Sequence, residues 1–167
     1  AWGTSLSHAG MGLTLLGLAA TGWGVENIVA MKPGEYYDVG PYKLGIEEIS
    51  PRNGPNYSET YAVMAVRSGT ETVAKIEPAK RFYQARKMQR SEAGIVTLGL
   101  GQIYAAIGDS HEDGTIDARL YWKPFVTLIW IGALVMAFGG GLSLADRRLR
   151  IGVARRASAV AMPEAAE

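Results

Sequence analysis

One histidine stands inside a long uncharged run. Ser5 to Trp23, SLSHAGMGLTLLGLAATGW, is 19 residues without Asp, Glu, Lys or Arg, and His8 is its one ionisable side chain. An ionisable group in such a run costs several kcal/mol in lipid unless something pairs with it, which marks it as a candidate site. Gly12 follows at i+4, on the same helical face. Small residues there let another helix or a flat ring approach closely. Two chemistries stay open: His8 as a ligand to a metal or haem buried between helices, or as a neutral imidazole hydrogen-bonded to a neighbouring helix.

A second cluster is cationic. Lys80, Arg81, Arg86, Lys87 and Arg90 fall within eleven residues, interleaved with Phe82 and Tyr83. Arg81, Arg86 and Arg90 are candidates for holding carboxylates, such as haem propionates or those of an acidic partner, because a guanidinium grips a carboxylate bidentately. The alternative is the solvated face of two strands. His111 lies beside Glu112 and Asp113 in a turn and reads as an exposed turn residue. No residue is assigned a catalytic role. With no cysteine, the chain has no disulfide, no thiol nucleophile and no thiolate metal site. A net charge of +1 argues against a nucleic-acid partner.

The elements around these residues suggest a mixed membrane protein, with two transmembrane helices flanking a small, mainly β domain, a sandwich or a barrel. The first helix is expected from about Thr4 to Asn27, with Trp23 near one interface, and Met31-Lys32-Pro33-Gly34 breaks it. Strands are expected at Tyr36–Val39, Tyr42–Ile49, Tyr57–Arg67, Thr72–Ile76, Phe82–Met88, Ala93–Leu100, Gln102–Ile107 and Thr115–Trp122. Turn signals bound them at Val39-Gly40-Pro41, Pro51 to Pro55, Ser68-Gly69 and His111 to Gly114. The second span is expected from about Pro124 to Ala145, with Trp122 and Trp130 as belt residues; Phe125–Leu142 carries no charge. The expected division is 1–28 transmembrane helix, 29–122 β-rich domain, 123–145 transmembrane helix, and 146–167 a cytoplasmic basic end with a disordered tail.

Arg147, Arg148, Arg150, Arg155 and Arg156 place the end of the second span in the cytoplasm by the positive-inside rule. The first helix then starts on that side, and the β domain lies outside the cytoplasm. No basic n-region precedes the first apolar run and no cleavage site clearly follows it, so it does not read as a signal peptide. The chain is expected to be the C-terminal piece of a longer polytopic protein, since two helices leave His8 without a second ligand.

From Gly3 to Arg150 the chain resembles the C-terminal part of the CcmF family, the haem lyase component of bacterial System I cytochrome c maturation. The carriers are Ser7-His8-Ala9-Gly10, Met31-Lys32-Pro33-Gly34, Gly54-Pro55-Asn56-Tyr57 and Pro78-Ala79-Lys80-Arg81-Phe82-Tyr83. Ser91-Glu92-Ala93, Tyr121-Trp122-Lys123-Pro124-Phe125 and Gly139-Gly140-Gly141-Leu142-Ser143-Leu144-Ala145-Asp146-Arg147-Arg148 continue the series in order.

The resemblance implies a haem b in the bacterial inner membrane with His8 as one axial ligand, so that the metal is the haem iron. Its second histidine lies in the remainder of CcmF. It implies a haem chaperone and apocytochrome c as partners in the same complex, membrane lipid around the helices, and covalent attachment of haem to apocytochrome c as the overall reaction. The segment is expected to be inactive alone. It implies a periplasmic β domain with both chain ends cytoplasmic. The competing reading is a non-enzymatic two-span anchor presenting a periplasmic β domain for assembly with partner proteins.

Overall fold

The computed structural model describes residues 2–145. The arginine cluster of Arg147 to Arg156 and the tail expected to be disordered lie outside the described residues. Packing divides the described residues into two units: a helix pair formed by residues 2–14 and 130–145, and a β unit over Leu15–Ile129.

The N-terminal helix α1 spans Trp2–Ala20 and the C-terminal helix α2 spans Thr127–Ala145. They pack through glycine. A Cβ on Gly3 would lie 2.6 Å from the Ser143 nitrogen, one on Gly10 would lie 2.6 Å from that of Met136, and one on Gly139 would lie 2.6 Å from that of Ser7. Ser7 Oγ donates to the Met136 carbonyl oxygen at 3.3 Å. Close approach of this kind, rather than bulky interdigitation, is how helices associate where no water is available to be expelled.

Among the described residues, α2 is the helix long and apolar enough to cross a membrane by length and composition alone. Of the two transmembrane helices expected, α1 is long enough but less apolar than α2. Thr4, Ser5, Ser7, His8 and Thr14 dilute the apolar character of α1. The first helix also ends at Ala20, not Asn27. A 3-10 turn, Thr21–Trp23, follows, and Val25–Met31 forms strand β1. Gly22 and Gly24 disfavour helix, and Val25, Ile28 and Val29 favour strand.

The β unit is a sandwich, which decides between the two expected architectures. Strands β1, β8 (Gly94–Leu98), β9 (Gly101–Ser110) and β10 (Ile116–Lys123) form a four-stranded sheet in the order β1-β10-β9-β8. The other sheet runs β2 (Tyr36–Val39), β3 (Tyr42–Asn53), β4 (Tyr57–Ser68), β6 (Ala79–Tyr83), β7 (Met88–Glu92). Strand β5 (Glu71–Ile76) pairs with the far half of β4, so β5 and β6 share that edge of β4. Among the described residues every strand pairing is antiparallel. Met31, Leu44, Ile46, Met64, Val66, Ile103, Ile107, Ile116 and Leu120 fill the space between the sheets. Burying each such side chain is worth roughly 1.5–3 kcal/mol.

Three expectations change here. Pro51 to Asn53 extend β3, and the turn narrows to Gly54–Asn56. The strand expected over Phe82–Met88 is a hairpin: a 3-10 turn at Gln84–Arg86 and a left-handed Lys87 (φ 48) reverse the chain between β6 and β7. Trp122 is not a belt residue. It packs edge-on against Tyr42, with ring centroids 5.1 Å apart. Gly40 (φ +63) and Gly101 have no side chain to block it.

Candidate functional site

His8 points away from the helix pair. At 100° per residue it lies about 160° round α1 from Gly10, whose face is closed by α2. The His8 side chain is exposed, and Nδ1 sits 2.8 Å from the Thr4 carbonyl oxygen. A carbonyl only accepts, so Nδ1 carries the proton. In the neutral imidazole, Nε2 then presents its lone pair outward. Around Gly12, one turn on, no atom lies within 4 Å of an added Cβ. Met11 and Leu15 are exposed on the same face. The described part of the chain thus provides one oriented nitrogen and a bare stretch of helix. Among the described residues there is no group of three or more His, Asp or Glu able to hold a metal ion by itself.

The basic residues divide by partner. Arg81 is committed: Nε donates to Glu59 at 2.6 Å, an Nη lies 3.4 Å from Glu92, and the guanidinium stacks 4.5 Å from the centre of the Tyr57 ring. Arg52 holds the other oxygen of Glu59 at 2.6 Å and stacks on Tyr61 at 4.4 Å. The Glu59 side chain is fully buried. Burial pushes its carboxyl up, but the hydrogen bonds from Arg81 and Arg52 outweigh this and hold it below the usual carboxylate range. The same bond to Glu59 pushes the Arg81 guanidinium up.

Sequence reasoning missed Glu59. The signal was the hairpin: counting outward from Pro55 and Asn56, Gly54 faces Tyr57, Asn53 faces Ser58 and Arg52 faces Glu59. Arg81 and Arg90 also face each other.

Arg86 and Arg90 differ from Arg81. Arg86 makes no ion pair among the described residues, and Arg90 reaches Glu92 only at 3.8 Å. With Asn56, Tyr83 and Met88 they line a surface cleft of about 260 Å³. His111 is exposed in its turn, as expected. Its Nε2 hydrogen-bonds Asp117 at 2.9 Å, which pushes the imidazole up.

The family model described as the CcmF C-terminal beta-sandwich matches residues 22–124. The cytochrome c-type biogenesis protein CycK of Rhizobium meliloti (strain 1021) is 47% identical over 158 residues, 94% of this chain and 23% of that protein. The cytochrome c-type biogenesis protein CcmF of Haemophilus influenzae is 38% identical over 153 residues, 91% of this chain and 24% of that protein. A solved structure, Cytochrome c Heme Lyase CcmF, matches with a TM-score of 0.65 at 15% identity, over 82% of this chain and 23% of that one. At that identity the likeness concerns the fold alone. The chain spans about a quarter of the length of the curated relatives it matches.

Proposed function

Because the chain belongs to the CcmF C-terminal β-sandwich family, we propose that it is a segment of a cytochrome c haem lyase and that His8 supplies one axial ligand to a membrane-embedded haem b. The observation that carries this reading is the His8 ring. Its Nδ1 is held by Thr4, its Nε2 is free, and Gly12 leaves the neighbouring surface open. These residues fit the group: a neutral imidazole nitrogen is a standard ligand to haem iron, and a flat macrocycle needs helix backbone without side chains in its way. Bound between two imidazoles, a haem supplies electron transfer rather than oxygen chemistry.

Within this chain the division of labour is then simple. His8 would hold the iron, Thr4 fixes the ring's tautomer and direction, and Met11 and Leu15 would give the haem an apolar surround. The second axial histidine comes from the part of the protein that this chain does not span. The segment takes part in covalent haem attachment and does not catalyse it alone. Its proposed partners are the remainder of CcmF, a haem chaperone, apocytochrome c and membrane lipid. Arg86 and Arg90 face a partner, while Arg81 is taken up by Glu59 and Glu92.

For topology, we propose that α1 and α2 both cross the bacterial inner membrane and that the sandwich is periplasmic. Neighbouring helices and haem would cover the polar side chains of α1. The arginines from Arg147 to Arg156 support a cytoplasmic end. His8 precedes Ala20 by twelve residues, about 18 Å along the helix. That is more than half of a ~30 Å hydrocarbon core, so His8 belongs to the cytoplasmic half, with a role in electron supply.

The test is the visible spectrum of the purified full-length protein. A low-spin b-type haem that is lost in His8→Ala, at unchanged protein level, supports the reading. A spectrum unaltered by His8→Ala returns the chain to the anchor role.

A further inference from the structure

The β6–β7 hairpin ends the six-stranded sheet. No strand lies beyond β7, and its backbone pairs only with β6 among the described residues. Four of its five residues are exposed. Other sheet ends are handled differently. Side chains bridge β1 and β2: Asn27 Nδ2 donates to the Asp38 carbonyl oxygen at 2.6 Å, and Tyr37 OH donates to that of Ala30 at 3.4 Å. Strand β8, Gly-Ile-Val-Thr-Leu, carries no charge, and Gly94 at its start packs against Ile76 and Pro78. Among the described residues, β7 is the sheet end that combines an open edge with a field of three cations, Arg86, Lys87 and Arg90, toward its hairpin tip, with Glu92 at its far end.

That field is built in two tiers. Arg52 and Arg81 are locked onto Glu59 and stacked on Tyr61 and Tyr57, which makes a rigid floor with its charge largely answered. Arg86, Lys87 and Arg90 stand beside it. Arg86 and Lys87 have no ion-pair partner among the described residues, and Arg90 has only a distant one. The cleft between Arg86 and Arg90 has Tyr83, Met88 and Asn56 on its walls. It offers apolar surface with two guanidiniums at the rim. Charged residues commonly blunt sheet edges against all comers. Here the charges nearest the hairpin tip share one sign, so they repel basic segments and admit acidic ones.

We propose that the β7 edge takes up an extended, acidic peptide segment of a partner protein as an added strand, with its carboxylates on Arg86 and Arg90. Main-chain hydrogen bonds along β7 give affinity, and the guanidiniums select acidic side chains. The inference rests on the reading of this face as a partner contact and is independent of haem at His8.

The test uses the full-length purified protein and an eight-residue peptide alternating Glu and Val, compared with its Lys-Val counterpart. The Glu-Val peptide binds, slows amide exchange over Met88–Glu92, and loses affinity with rising salt. The Lys-Val peptide does not bind. Arg86→Glu with Arg90→Glu weakens binding about tenfold, while the visible spectrum, which reports His8, stays unchanged. A Glu-Val peptide N-methylated at every residue, lacking the strand donors on both edges, does not bind. The proposal is overturned by no binding of the Glu-Val peptide, equal binding of the Lys-Val peptide or the N-methylated one, indifference to the double reversal, or slowed exchange elsewhere without any over β7.

Discussion

His8 donates through Nδ1 to the carbonyl oxygen of Thr4, 2.8 Å away and one turn earlier on the same helix. The bond needs no other part of the protein, so the helix itself sets the tautomer. It leaves Nε2 as the nitrogen with a lone pair, on the face that α2 does not cover. A histidine kept only for packing would direct its second nitrogen to a neighbour as well.

The glycines of α1 should separate cleanly by face. A Cβ on Gly10 would meet the Met136 nitrogen at 2.6 Å and the Gly132 carbonyl oxygen at 2.7 Å, whereas Gly12 has open space. Gly10→Leu should therefore lower the amount of folded protein. Gly12→Ala should be tolerated, since it favours helix by up to about 1 kcal/mol. Gly12→Leu should keep the protein and lose haem. Haem absorbance per unit protein, measured for the three variants, checks this. Full haem in Gly12→Leu would remove the close-approach argument.

Glu59 should set the acid limb of the sandwich's stability. Its folded carboxyl titrates below the ordinary value of 4.5. Its contribution is therefore fully present above 4.5 and fades as pH falls through the lowered folded value. Glu59→Gln should destabilise the chain by about 2 kcal/mol near neutrality. That is less than for a fully buried pair, because the guanidiniums of Arg52 and Arg81 reach water. It should also flatten the acid limb. Thermal melts of both proteins between pH 3 and 7 give the comparison, and parallel curves would contradict the assignment.

His111 works in the opposite direction. Its hydrogen bond to Asp117 pushes the imidazole above 6.5. The stabilisation is fully present below 6.5 and is lost as pH rises through the raised folded value. His111→Asn should abolish that small alkaline-side loss while leaving the acid limb, which belongs to Glu59, unchanged. A histidine titration followed by NMR should show the raised midpoint fall in Asp117→Asn, since Asp117 is the largest cause of the rise.

Topology can be read with a reporter fused near Gly114, in the turn between β9 and β10. A reporter active only outside the cytoplasm should be active there, and one active only in the cytoplasm should be silent. The reverse pattern would overturn the orientation drawn from Arg147 to Arg156.

The sequence made some of this legible and hid the rest for identifiable reasons. Strands bounded by glycine turns were readable because Gly40, Gly69 and Gly114 adopt positive φ that other residues avoid. Strand β1 was hidden because Val25–Met31 continues an apolar run that looks helical until Gly22 and Gly24 are given weight. The β6–β7 reversal was hidden because a left-handed lysine, not a glycine, closes it. The His8–Gly12 pair was legible from helical spacing alone. The division of the arginines was not, because it depends on Glu59, whose register opposite both Arg52 and Arg81 exists only once β3, β4 and β6 are paired.

The central claim is that His8 Nε2 bonds the iron of a membrane haem, and chemical rescue addresses it most directly. In the purified full-length protein, His8→Gly should abolish the low-spin haem spectrum, and added imidazole should restore it by taking the vacated ligand position. A low-spin spectrum that persists in His8→Gly without imidazole would contradict the account.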